Sequence, residues 1–465
     1  MQRIGIIETT IILSYIGFTI YLVYRFSRKA DAGDAAGFLL AGRRLTLPMF
    51  VATIVSTWYG GILGVGEFSY RYGISNWLVF GVPYYLSAFF FAIFMAKRAR
   101  KVPVLTIPDQ MDKTYGRFPS YVSALFVFFM TSPAPYVLML GVLLNFFFQW
   151  PLWLGVSVGA VFSMVYVFIG GFRSVVRTDM LQFAMMFIGF IFIIAFAASQ
   201  YGGLTFVRES IPKQHFVWHG GNGAAYIIVW FFISLQTFVE PSFYQRCFAA
   251  QNENVARNGI FVSILFWLLF DFLTTSAGLY ARALFPDLEN PVTSYLFLSQ
   301  KVLPPVLAGI FLAGMIATIM STLDSYTFIS GMTLGRDFMW ALFESREERI
   351  TLYTRIGIVL TTGLSILIAL YARSVIQIWK DLGSIATPAL IFPVVTSYFP
   401  RFKMRPHFAG LAMTVAGGIA FLWTFSNPFG LTSQNYLFNI EPIYPGLVAA
   451  SLIFLSDRFT RYKET

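Results

Sequence analysis

VLPPVLAGIFLAGMIATIMSTLDSYTFISGMTLGRD, residues 302–337, is the stretch on which the reading of the whole chain turns. It is long enough to cross a bilayer, for which about 20 apolar residues suffice. Its middle is not lipid-like, because Thr318, Ser321, Thr322, Asp324 and Ser325 crowd into about two helical turns. On a helix, Gly314, Thr318, Ser321 and Ser325 share one side, flanked by Ala317, Thr322 and Asp324. A carboxylate at mid-membrane depth is costly, so this side should face protein or water and mark an ion or solute path. The plainer alternative is that the hydroxyls bond back to the preceding turn and let helices approach closely. Asp324 inside the cluster favours the first reading.

Composition places that stretch in a membrane protein. Of 465 residues, 57% are hydrophobic, 18% aromatic and only 12% charged. Soluble domains carry about twice that share of charge. The single Cys247 offers no disulfide, and His215, His219 and His407 have no zinc spacing. The net charge of +11 would suit a nucleic-acid partner, but its distribution does not. Apolar spans recur near 4–26, 47–73, 74–97, 119–147, 152–171, 178–200, 224–246, 259–284, 302–334, 351–373, 375–398, 408–425 and 442–458. With the N-terminus outside, alternate joints hold most of the 33 basic residues. Among them are Arg25, Arg28, Lys29, Arg43, Arg44, Lys97, Arg98, Arg100, Lys101, Arg173, Arg177, Arg246, Arg257, Arg336 and Arg401. That is the asymmetry of the positive-inside rule, so the basicity is topological. The first span has its stronger basic flank behind it and reads as an anchor rather than a cleaved signal. The chain has no Gly-Lys pair and hence no Walker-type loop, so coupling to an ion gradient is expected in place of ATP.

The second span, LPMFVATIVSTWYGGILGVGEFSYRYG (47–73), carries Gly60, Gly61, Gly64 and Gly66 just after Ser56 and Thr57. Each glycine costs a helix interior about 1 kcal/mol relative to alanine. The run therefore predicts an unwound segment whose freed carbonyls can hold a cation. Gly60 and Gly64 also fit a close-packing face, as do Gly155 and Gly159. In the seventh span Gln236 and Glu240 lie one turn apart, and Pro241 should break the helix there. Asp179 and Gln182 sit at the start of the sixth span and Asp271 inside the eighth; Lys380 beside Asp381 reads as snorkelling near an interface.

Several of these stretches resemble, in order, the sodium/solute symporter family, which includes the proline, pantothenate, sialic acid and bacterial sugar symporters. They are FLLAGRRLTLP (38–48), the glycine-broken span, GGFRSVVRTDMLQ (170–182), YQRCFAAQNENVAR (244–257) and IMSTLDS (319–325). The resemblance covers essentially the whole chain. It implies an all-α polytopic membrane protein of about thirteen transmembrane helices with a leucine-transporter-like core. In that core, residues 47–200 and 224–398 would be two inverted five-helix repeats, each opening on a discontinuous helix. Residues 1–46 and 408–465 would be peripheral.

By the same resemblance, sodium is the coupling ion. Its ligands map onto the carbonyls of Ile54, Thr57 and Thr318 and the hydroxyls of Ser321 and Thr322. Asp179 maps near the inward sodium exit. Asp324 has no sodium role by the resemblance, and its place within a turn of Ser321 makes it a candidate for coupling, as a second cation site or as a partner of Arg or Lys at the inward end. The chain departs from the proline symporters at Ser56, where they carry aspartate. It departs from the sugar symporters at Gly60 and Gly61, where they present polar side chains. At the substrate level stand Ser56, Trp58, Tyr59, Gly60, Gly61, Gln236 and Glu240, a set suited to a small amine, an amino acid or a neutral polar solute. The expected function is sodium-coupled import of a small polar organic solute by alternating access, in the cell membrane, with the N-terminus outside and the C-terminus cytoplasmic. Expected partners are sodium, the solute and lipid, with no nucleic acid and no cofactor beyond sodium. Proton coupling on the same fold and a non-transporting sensor are the alternatives. An enzyme is not expected, since no nucleophile–base pair or metal cluster is present.

Overall fold

The computed structural model describes residues 4–27, 35–343, 346–371, 375–426 and 436–464. Arg28, Lys29 and the expected end of the tenth span at 372–373 lie outside the described residues. Among the described residues every regular element is helical. Eleven helices among the described residues are long and apolar enough to cross a membrane. The expected count of about thirteen differs for two local reasons. The spans at 152–171 and 178–200 run together as one helix, Leu152–Tyr201, bent at Gly171, whose φ of 57° only glycine adopts at low cost. A side chain there would also strike Phe38. The last expected span is a helix, Ile443–Glu464, but is too polar towards its end to pass on composition.

Pro305–Met332 is the axis of the bundle. Pro304 and Pro305 start it, where a missing N–H costs nothing. Its apolar window is 83% buried, against 22% for the first helix, Ile6–Ser27, and 39% for Glu347–Tyr371. Small residues make that burial possible. Gly314 lies against the backbone of Met185, Gly309 against the first helix at Glu8 and Ile11, and Gly331 against Ile358. Without lipid-excluded water to drive association, such close backbone approach is what holds membrane helices together. Gly155 and Gly159 likewise meet Gly141 and Leu140 of the Ala134–Phe148 helix, as the spacing predicts. The outer faces carry Leu265, Leu268, Phe272, Leu367 and Leu422, all exposed, as a lipid-facing surface requires.

Two helices are broken beside this axis. Leu47–Trp58 and Ile62–Tyr72 are joined by a tight turn at Tyr59–Gly61. The break is thus a single turn of 3₁₀ geometry, shorter than the unwound run the glycines predict. Ala224–Ile233 passes through a similar turn at Ser234–Phe238 to an extended Glu240, and Pro241 then starts Pro241–Ala249. Pro241 fixes the restart of the helix, and Glu240 caps it, its carboxylate accepting from the Ser242 N–H at 3.4 Å.

Candidate functional site

The first broken helix meets the axial helix at its break. The Thr322 hydroxyl donates to the Thr57 carbonyl at 2.6 Å, and Ser321 Oγ donates to Asp179 Oδ1 at 2.6 Å while standing 2.9 Å from Ser56 Oγ. Gly60 explains the closeness, because any Cβ there would overlap the Thr322 side chain. The glycine is therefore both part of the helix break and a packing contact. Thr318 bonds back to Gly314 at 2.7 Å, and Ile54 and Thr57 reach the wall of an adjoining cavity. Of the five residues of the cation expectation, Thr57, Ser321 and Thr322 meet at the junction of the two helices, while Ile54 lines the cavity and Thr318 bonds within its own helix.

Arg246 is the residue the sequence reading misplaced. Counted among the cytoplasmic joints, it is fully buried on the Pro241–Ala249 half-helix. Its Nη2 lies 3.1 Å from Thr53 Oγ1, 2.9 Å from Thr57 Oγ1, 2.6 Å from Ser325 Oγ and 3.7 Å from Asp179 Oδ2. Thr53 also donates to Asp179. A guanidinium suits this place because its charge stays fixed and its planar donors span several oxygens. The available signal was its position five residues past a helix-breaking proline, inside the seventh apolar span. Arg336 is likewise buried, held by Asp109 at 2.7 Å and Asp337 at 2.6 Å.

Asp324 turns away from this junction. Ser163 donates to its Oδ1 at 2.5 Å and Tyr166 to its Oδ2, both from the 152–201 helix. It makes no ion pair among the described residues. Lys380, expected to snorkel, is instead buried on Glu441 at 2.9 Å and over the Tyr436 ring.

Beside the junction lies a cavity of about 110 Å³. Trp58, Tyr59, Gly61, Gln236 and Glu240 line it, as expected of a substrate level, whereas Ser56 and Gly60 face the axial helix. The sequence reading did not assign Tyr84, Tyr136, Tyr326 and Trp379, which complete the aromatic wall, nor Asp271, which joins Glu240 as a second carboxylate. Gln236 donates to Tyr84 Oη at 3.3 Å, Tyr326 to Glu240 at 3.2 Å, and Tyr85 to Asp271. Gly61 leaves the space that Trp379 fills. The unassigned Tyr84, Tyr136, Asp271, Tyr326 and Trp379 come from five separate helices, which is why spacing in the sequence could not collect them.

The sequence pattern described as "Sodium:solute symporter family" matches residues 38–413. The chain belongs to that family. Relatives include the sodium/pantothenate symporter of Escherichia coli, 24% identical over 94% of this chain and 93% of its own. Sodium/proline symporter 2 of Staphylococcus saprophyticus is 25% identical over 97% and 93% respectively. The fold is similar to that of a Na⁺-coupled sialic acid symporter in a substrate-bound outward-open state, with a TM-score of 0.79, 12% identity and 98% of both chains covered. Membership and the apolar helices make the chain an integral membrane protein of leucine-transporter-like fold, and the family and relatives it matches are sodium-coupled transporters.

Proposed function

We propose that the chain imports a small polar organic solute by sodium-driven alternating access. The observation that carries the proposal is the Thr322 hydroxyl on the Thr57 carbonyl at 2.6 Å, at the break of the 47–72 helix. Two oxygens of a cation site are there held together by opposite helices. Sodium would take these two with the Ser321 hydroxyl and the carbonyls of Ile54 and Thr318. Neutral oxygens of this kind suit a hard monovalent ion better than a divalent one. Asp179 would draw the ion inward through Ser321, with Arg246 fixing its carboxylate. The solute would occupy the neighbouring cavity, against Trp58, Tyr59, Gln236 and Glu240. Because Thr57 and Ile54 belong to both places, filling one shapes the other.

The proposal includes two inverted repeats, 47–200 and 224–398, with 1–46 and 408–465 peripheral. It also puts the N-terminus outside and the C-terminus in the cytoplasm, in the cell membrane. Removing Arg246 from the cytoplasmic joints leaves the basic asymmetry otherwise intact. Proton coupling is the second reading, favoured by Glu240, Asp271 and Asp324, which are buried and bonded to hydroxyls.

Reconstitution into proteoliposomes tests the proposal, with radiolabelled solutes offered under inward sodium or inward proton gradients of equal size. Uptake that follows sodium and stops when potassium replaces it is expected. Uptake that follows the proton gradient and ignores sodium would overturn sodium coupling, and saturable binding without uptake would leave a sensor.

A further inference from the structure

We propose that the solute cavity is built for an organic cation, a small alkylammonium. This rests on the reading above only in taking the cavity as the solute site. The first observation is charge. Glu240 and Asp271 both line the cavity and each is 2% exposed, while no Lys, Arg or His lines it among the described residues. The nearby cations are engaged elsewhere, Arg246 on Asp179 and three hydroxyls, and Lys380 on Glu441. A buried carboxylate without a cation is costly to keep ionised, and that cost is relieved when a positive group arrives.

The second observation is an acceptor left open. Both hydrogen bonds to Glu240, from Tyr326 at 3.2 Å and from the Ser242 N–H at 3.4 Å, fall on Oε1. Oε2 accepts none. The third is the wall itself. Trp58 packs edge-on to Tyr84 at 5.1 Å, and Tyr136 packs edge-on to Tyr326 at 5.2 Å with Trp379 at 6.1 Å. Aromatic faces around a small space attract a cation through the ring quadrupole, and they favour diffuse charge such as that of a substituted ammonium. The converse also holds. An anionic or zwitterionic solute would find no donor of opposite charge for its carboxylate. A polyol would find hydrogen-bond partners in Gln236, Ser132, Ser242 and the tyrosine hydroxyls, but would leave the two buried carboxylates without a counter-charge.

The test uses the full-length protein in detergent with sodium held constant. Methylammonium, tetramethylammonium and choline are titrated by calorimetry, alongside the uncharged isostere of choline in which a tert-butyl group replaces the trimethylammonium group. At least one cation should bind saturably, and choline should bind at least tenfold more tightly than its isostere. Glu240→Gln should weaken the cation at least tenfold while leaving the isostere unchanged. The wild-type comparison of choline with its isostere stands alone if that variant does not fold. An isostere that binds as well as choline, or a series in which no cation binds, would overturn the proposal. Uptake separates this from the coupling ion. Sodium-driven uptake of neutral or anionic solutes alone would sink the cation and keep symport. Uptake of a cation indifferent to sodium would keep the cation and sink symport.

Discussion

Replacing Gly60 by alanine should damage both stability and the response to sodium. Gly60 lies in a tight helical turn with no positive φ, so alanine suits the backbone and should gain about 0.4–1 kcal/mol by restricting the unfolded chain. The added Cβ, however, would coincide with the Thr322 side chain. Overpacking of this kind costs about 1–3 kcal/mol, leaving a net loss of roughly 0–2.6 kcal/mol, with about 1–2 kcal/mol around the middle of that range. The strain falls on the contact between Thr322 and the Thr57 carbonyl, which are two of the proposed sodium ligands. If the strain is expressed there, the sodium needed for half-maximal transport should rise about 5–30-fold. The assay is a melting series in detergent with and without sodium, together with sodium activation of uptake. Thr322→Gly provides the control, since it removes the clashing Cβ together with Oγ1 and Cγ2, and Gly60→Ala in that background should be nearly free of cost, within about 0.5 kcal/mol. A Gly60→Ala protein that melts and responds to sodium like the wild type would refute the reasoning. So would a penalty that Thr322→Gly does not relieve.

Ser321→Ala and Thr322→Ala should each weaken sodium activation while the protein stays folded, and wild-type sodium dependence in both would remove them from the site. Thr57→Ala should be milder for sodium, since it keeps the carbonyl. Arg246→Met leaves Asp179 buried without its cation and should cost about 3–5 kcal/mol of stability, largely restored by adding Asp179→Asn; an unchanged Tm in the single variant would contradict that pairing. Asp324→Asn loses an acceptor for either Ser163 or Tyr166 and should lower stability by about 1–3 kcal/mol with the sodium Hill coefficient unchanged. A changed coupling stoichiometry would return Asp324 to the mechanism. Finally, sodium and solute should raise each other's affinity by one common factor, about 5–150-fold, in equilibrium binding at low and high sodium; equal solute affinities at both would exclude this coupling.

The sequence by itself determined the class of fold and the place of the chemistry. Long apolar spans can satisfy their backbone only as helices in lipid, so spans, breaks and intramembrane polar residues are written locally. The hydroxyl cluster at 318–325, the glycines at 60–61 and Pro241 after Glu240 are all local patterns of that kind. Even there, spacing could not say that Gly60 serves a contact with Thr322, because its neighbour lies more than 250 residues away. Tertiary structure alone decided what each polar group faces. Arg246 looks like a topological charge until the half-helix restarting at Pro241 carries it to Asp179. Asp324 shares a turn with Ser321, yet helical rotation aims it at Ser163 and Tyr166. The cavity wall draws Trp58, Tyr84, Tyr136, Tyr326 and Trp379 from different helices. Which faces of separate helices meet is set by the packing of small residues along the axial helix, a property of pairs of surfaces that no single stretch of sequence contains.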